Sequence, residues 1–121
     1  YEYYIEVVAR DKRFIEQNIK EALKWYKLAA EGGDSMGCYN LGMCYCYGKG
    51  VRIDYEQALR YFGRAMNQGN VLAIYEYANC FLYGHGLPMK KVEAIKLYQV
   101  AADAGLEEAI EMLAKLKESQ K

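Results

Sequence analysis

Four cysteines, one histidine and two Gly-x-Gly turns are the residues in this chain whose types could do chemistry. Cys38, Cys44, Cys46 and Cys80 could in principle form bridges or hold a metal, but their spacing argues against both. Cys44 and Cys80 occupy one position of a repeating pattern, and equivalent positions on stacked helices stand about 10 Å apart, beyond the ~7 Å between alpha carbons that a disulfide spans. Cys44 and Cys46, two residues apart on a helix, point to different faces and cannot chelate together. The cysteines are therefore expected to be four small apolar thiols in packed positions, which favours a reducing, cytoplasmic setting. Gly48-Lys49-Gly50 and Gly84-His85-Gly86 resemble phosphate-cradling loops only superficially. Neither ends in Gly-Lys-Ser/Thr opening a helix, and both fall at the same turn of the repeat, so they punctuate structure. His85, the single histidine, has no second ligand or nucleophile at a suggestive spacing, and an exposed turn position is expected for it. No catalytic constellation emerges. The chain is expected to be no enzyme and to need no cofactor or metal.

Sixteen basic residues balance sixteen acidic ones without long blocks of either sign, so the footprint of a nucleic-acid binder is missing. No run of eighteen apolar residues occurs, and membrane insertion is not expected. At 121 residues and 53% hydrophobic content the chain can bury one core without disulfides. It opens on Tyr1 rather than Met, with no signal-peptide pattern, and reads as a piece of a longer protein from which targeting information has been cut.

One internal offset organises everything else. Ala22, Ala58 and Ala94 recur at 36 residues, and at the same offset Tyr26 meets Phe62 and Tyr98, Ala29 meets Ala65 and Ala101, and Gly33 meets Gly69 and Gly105. Leu41-Gly42, Tyr77-Ala78 and Leu113-Ala114 share a position, and Tyr47-Gly48-Lys49-Gly50-Val51 returns as Tyr83-Gly84-His85-Gly86-Leu87. A fixed period in this range marks a repeat array. Each period holds two stretches with aromatic and small residues at three- and four-residue steps, the stripe of a 3.6-residue helix. Small residues in mid-helix, Gly42 and Ala78, let a neighbouring helix come close. Asn18 and Asp54, with Glu21 and Gln57 three residues on, form capping-box patterns, whereas Lys90 cannot cap in this way.

The resulting fold class is all-α, a solenoid of antiparallel helix pairs with about seven helices near 1–12, 19–32, 35–47, 55–68, 71–83, 91–104 and 107–118. A single domain spans 1–121. In it, 1–19 is a degenerate first repeat, with Ile5 on the Leu41 position, Ile15 on Val51 and Asn18 on Asp54, and 107–118 is a charged capping helix.

The string Leu41-Gly42-x-x-Tyr45-x-x-Gly48-x-Gly50-Val51-x-x-Asp54, followed by Ala58-x-x-Tyr61-Phe62-x-x-Ala65 and Gly69, resembles the Sel-one-like repeat (SLR) pattern, a relative of the tetratricopeptide repeat. The resemblance covers roughly 15–114. It departs at Tyr77-Ala78, where Leu-Gly is usual, and at Leu87-Pro88 in place of the valine turn. It implies a right-handed superhelix with a concave face, used by relatives as adaptors that bring proteins together. A disulfide-rich subgroup bridges a cysteine to one like Cys38, but here its partner position is Ala30.

Carried over, that geometry turns Met36, Tyr39, Met43, Cys46 and Tyr47 toward the groove, with Leu72, Tyr75, Asn79, Leu82 and Tyr83 one repeat on. Tyr39, Met43, Tyr47, Tyr75, Asn79 and Tyr83 are the candidate partner-binding residues. The equivalents in the last repeat are Glu108, Glu111, Lys115, Glu118 and Ser119, and the absence of charge from the first two sets points to an uncharged or apolar peptide or helix. The competing expectation is a structural spacer or self-association module. Its surface would be the aromatic N-terminal end, Tyr1, Tyr3, Tyr4 and Val7.

Overall fold

Residues 1–31 contain neither glycine nor proline, and nothing in them stops a helix once it has started. In the computed structural model, which describes residues 2–119 with side chains from Ala9 onward, they form one 30-residue helix, α1 (Glu2–Glu31). Five shorter helices follow: α2 (Ser35–Tyr47), α3 (Tyr55–Asn67), α4 (Val71–Tyr83), α5 (Lys91–Asp103) and α6 (Glu107–Glu118). Six helices thus stand where about seven were expected, because the pair near 1–12 and 19–32 is continuous. Asn18 lies inside α1 and caps nothing, and residues 9–18 are all exposed. The side chains of Tyr3, Tyr4, Ile5 and Val7, and the whole of Tyr1, lie outside the described residues.

From Ile19 onward the helices pack in sequence, each against the next. The 36-residue register is visible in the contacts themselves. A methyl group on Gly50 would stand 2.8 Å from Ile19 Cγ2, and one on Gly86 would stand 2.8 Å from Leu59 Cδ1 and 2.9 Å from Tyr55 Cβ. Tyr55 is the residue one repeat after Ile19, so the same turn is pressed onto the same helix face twice. Gly48 and Gly84 close α2 and α4 in the left-handed region, both at φ 70°, a conformation that residues with a Cβ adopt at a cost. Gly42 admits the Phe62 ring, which would lie 2.7 Å from an added Cβ. Ala58, Ala65, Ala73, Ala78, Ala94, Ala101 and Ala109 are wholly buried, so the stack is drawn together on small residues while Leu41, Phe62 and Tyr98 fill the space between.

Caps set where the helices begin. Asp54 Oδ1 accepts from the Gln57 amide at 3.2 Å, as the capping pattern expects, and Lys90 makes no such bond. Asp34 and Asn70 do the same work for α2 and α4, accepting from Gly37 at 3.0 Å and Ala73 at 3.1 Å. Their amides are the orphan donors at each helix start.

Candidate interaction surface

Alternate helices α2, α4 and α6 share a face, and the candidate binding residues lie on the first two of them. Tyr39 is half-buried with its ring tilted against Phe62, centroids 6.1 Å apart. Tyr75, one repeat on, is half-buried and tilted against Tyr98 at 5.6 Å. Tyr47 and Tyr83, at the ends of α2 and α4, keep 49% and 53% of their surface in solvent. Met43 is half-buried against the core built from Cys46, Ala58, Phe62 and Cys80. Met36 is exposed, and its sulfur accepts from Asn70 Nδ2 at 3.4 Å.

The residue that ties this face together is Glu76, which sequence reasoning passed over. It is 8% exposed and is the single buried charged side chain among the described residues. Tyr47 Oη donates to Glu76 Oε2 at 3.0 Å across the seam between α2 and α4, and Asn79 Nδ2 lies 3.5 Å from the same oxygen. Asn79 Oδ1 in turn accepts from the Tyr98 hydroxyl. The network therefore joins three helices through Tyr47, Glu76, Asn79 and Tyr98. The signal was present in the sequence, since Glu76 is the only charged residue in α4, VLAIYEYANCFLY.

Burial pushes the Glu76 carboxyl above the usual carboxylate range, opposed by the donors Tyr47 and Asn79. Burial also raises the Tyr39 phenol, with the charges of Glu76 and Glu108 acting in the same direction. Tyr47 is raised by burial and then by Glu76, and Tyr98 by burial together with its phenolic and acidic neighbours. Tyr75 is raised by burial, against the hydrogen bond with Asn79. The charge of Glu108, on α6, thus acts on tyrosines of both α2 and α4. Among the described residues no lysine or arginine is one of the groups acting on these side chains.

All four cysteines are free and buried, between 0% and 5% exposed. Cys44 and Cys80 belong to different core clusters, but Cys46 and Cys80, a pair the repeat offset does not align, meet across α2 and α4. The two thiols act on each other, Cys80 lowering the Cys46 thiol and Cys46, together with burial, raising that of Cys80. His85 is not the exposed turn residue expected: it is half-buried, stacked on Tyr55 at 4.5 Å with the rings 5° from parallel, and Tyr83 tilts against it at 5.9 Å. Among the described residues no group of three His, Cys, Asp or Glu side chains is placed to hold a metal ion, and no helix is long and apolar enough to cross a membrane.

Comparisons with known proteins agree with this architecture. The Sel1 repeat family model matches residues 11–34, 35–70 and 71–106. Among solved structures, a protective antigen of uropathogenic Escherichia coli strains displaying an SLR fold is 30% identical with a TM-score of 0.77, over 82% of this chain and 21% of that one. A Sel1 repeat protein from Oxalobacter formigenes is 34% identical with a TM-score of 0.73, over 78% of this chain and 39% of that one. Cysteine rich protein B of Helicobacter pylori is 25% identical with a TM-score of 0.68, over 75% and 68%. The chain thus spans well under half the length of the first two. No curated protein matches it. An all-α solenoid built on three matched repeats, the chain belongs to the Sel1 repeat family, whose members are in general non-enzymatic scaffolds for protein interaction.

Proposed function

We propose that the chain is an adaptor whose concave groove, lined by α2 and α4 and flanked by α6, binds a peptide or helix of a protein partner and catalyses nothing. The observation that carries this reading is the gathering of Tyr39, Tyr47, Tyr75 and Asn79 around one buried carboxylate, with Tyr83 at the rim. Large rigid side chains with polar tips, half-exposed over a packed base, are the material of binding hot spots. On the same reading the chain is a single domain, and α6, with Glu107, Glu108, Glu111, Lys115, Lys117 and Glu118 exposed, closes the stack toward water. Affinity capture with the intact chain and a Tyr47→Ala/Tyr83→Ala copy tests the groove. Partners retained by the first and lost by the second, at equal helicity, support it, and a truncation cost below about 1 kcal/mol places binding elsewhere.

A second reading has its own observation. On α1, Phe14, Trp25 and Leu28 are 65%, 64% and 52% exposed and fall at helical spacing on one side. Self-association of two copies through this helix would cover them. Sedimentation of the chain and of Phe14→Ser/Trp25→Ser separates the readings, since a monomer at high concentration rules this one out.

A further inference from the structure

Glu76 is costly where it stands. A carboxyl with 8% exposure loses most of its hydration, and two donors on one oxygen restore only part of it. Its bonds from the described residues are both at Oε2, and no fully buried side-chain oxygen among them is left without a partner, so Oε1 is not wholly shut off from solvent. No cation among the described residues pairs with it: the ion pair found there is Lys96 with Glu93, within α5. The stack does not require an acid at this position either. Asn40 and Met112 occupy the same place one repeat before and one repeat after, in helices of nearly the same length.

We propose that this face takes a lysine or arginine side chain from the partner, with its cationic head against Oε1 of Glu76 and its stem along the rings of Tyr39, Tyr47 and Tyr75; this rests on the groove being the peptide-binding surface. Each part of the surroundings suits a cation. Tyrosine rings attract cations through their faces, Tyr47 leaves its phenol oxygen as an acceptor after donating to Glu76, and Glu108 adds negative potential from α6. A basic head group also removes the cost of the buried carboxylate, an interaction that a neutral partner cannot make. A basic partner segment departs from the expectation of an uncharged one, which was drawn from positions of α2 and α4 that lack charge; Glu76 lies between two of them, next to Tyr75.

The test is selection of random twelve-residue peptides displayed on phage, run in parallel against the full chain, Glu76→Gln and Tyr47→Ala/Tyr83→Ala, with helicity of each checked by circular dichroism. Glutamine keeps an acceptor for Tyr47 and Asn79 while removing the charge, so the fold is retained. Enriched peptides should share a lysine or arginine. Synthetic copies should lose at least about tenfold in affinity when that residue becomes norleucine or when Glu76 becomes glutamine, and much less when both changes are combined than the two losses multiplied. Groove-dependent peptides without a shared basic residue, or with affinity unchanged by Glu76→Gln, overturn the cation proposal and leave the groove standing. Enrichment that ignores Tyr47 and Tyr83 overturns both.

Discussion

Between α2 and α4 the face is made of Cys46, Tyr47, Glu76, Asn79 and Cys80; one repeat on, between α4 and α6, the same positions hold Leu82, Tyr83, Met112, Lys115 and Leu116. α2 and α4 end alike, on the left-handed Gly48 and Gly84. The contents are opposite in kind. In the first, Tyr47 donates to a buried carboxylate, whereas in the second Leu82, Met112 and Leu116 pack on Tyr98 and Leu113 and Tyr83 leans on His85. An apolar filling is enough to stack two repeats. On the reading proposed above, what Glu76 adds is chemistry rather than cohesion, and a repeat protein can place such a site in one seam without disturbing its neighbours.

The comparison assumes one register along the whole stack, and breaking that register should give the largest effect. Ala65 and Ala101 are equivalent and wholly buried. Ala65→Asp is expected to destabilise the chain by about 3–5 kcal/mol, the cost of an unpaired charge forced into a core. An unchanged melting temperature would show the register to be wrong. Moving the acid to the second seam should cost less: Met112→Glu is half-buried and partly relieved by water, so about 1–3 kcal/mol is expected at neutral pH, recovered on acidification. Denaturant titrations at two pH values check both parts.

A smaller effect sharpens the account of Glu76 itself. Its folded carboxyl binds a proton more tightly than the unfolded one, so protonation stabilises the fold fully below the ordinary carboxylate range, and that contribution is lost as pH rises through the raised folded value. Unfolding free energy of the native chain, measured against Glu76→Gln, should fall as pH rises above the ordinary glutamate range of about 4. A difference flat with pH would mean the carboxyl is not perturbed. Smallest of all is the effect of the cysteines. A thiol count on unfolded, unreduced protein should give four, and a count of two would reveal a bridge, with Cys46 and Cys80 the pair in contact.

Much of the fold was legible because repetition supplies its own control. Gly50 on Ile19 and Gly86 on Tyr55 are one contact written twice, and an offset of 36 exposes it without any structure. Where the pattern does not repeat, legibility fails. Residues 9–18 carry remnants of repeat spacing but no glycine turn, and helix propagation prevails over the remnant. Glu76 escaped for the same reason. Its equivalents are Asn40 and Met112, so alignment of the repeats averages the carboxylate away, and only the approach of Tyr47 from α2 shows what it does. The Cys46–Cys80 contact joins positions from different columns of the repeat, which no single offset can pair.

The measurement that bears most directly on a functional Glu76 is the stability of Glu76→Met, which gives the first seam the filling the second already has. If the carboxylate is held for a partner, the variant is as stable as the native chain at pH 7, or more stable by about 1–2 kcal/mol, because a buried acid has been exchanged for a well-packed apolar side chain. A loss of more than about 2 kcal/mol would contradict this, and would make the Tyr47, Glu76 and Asn79 network part of what holds the repeats together.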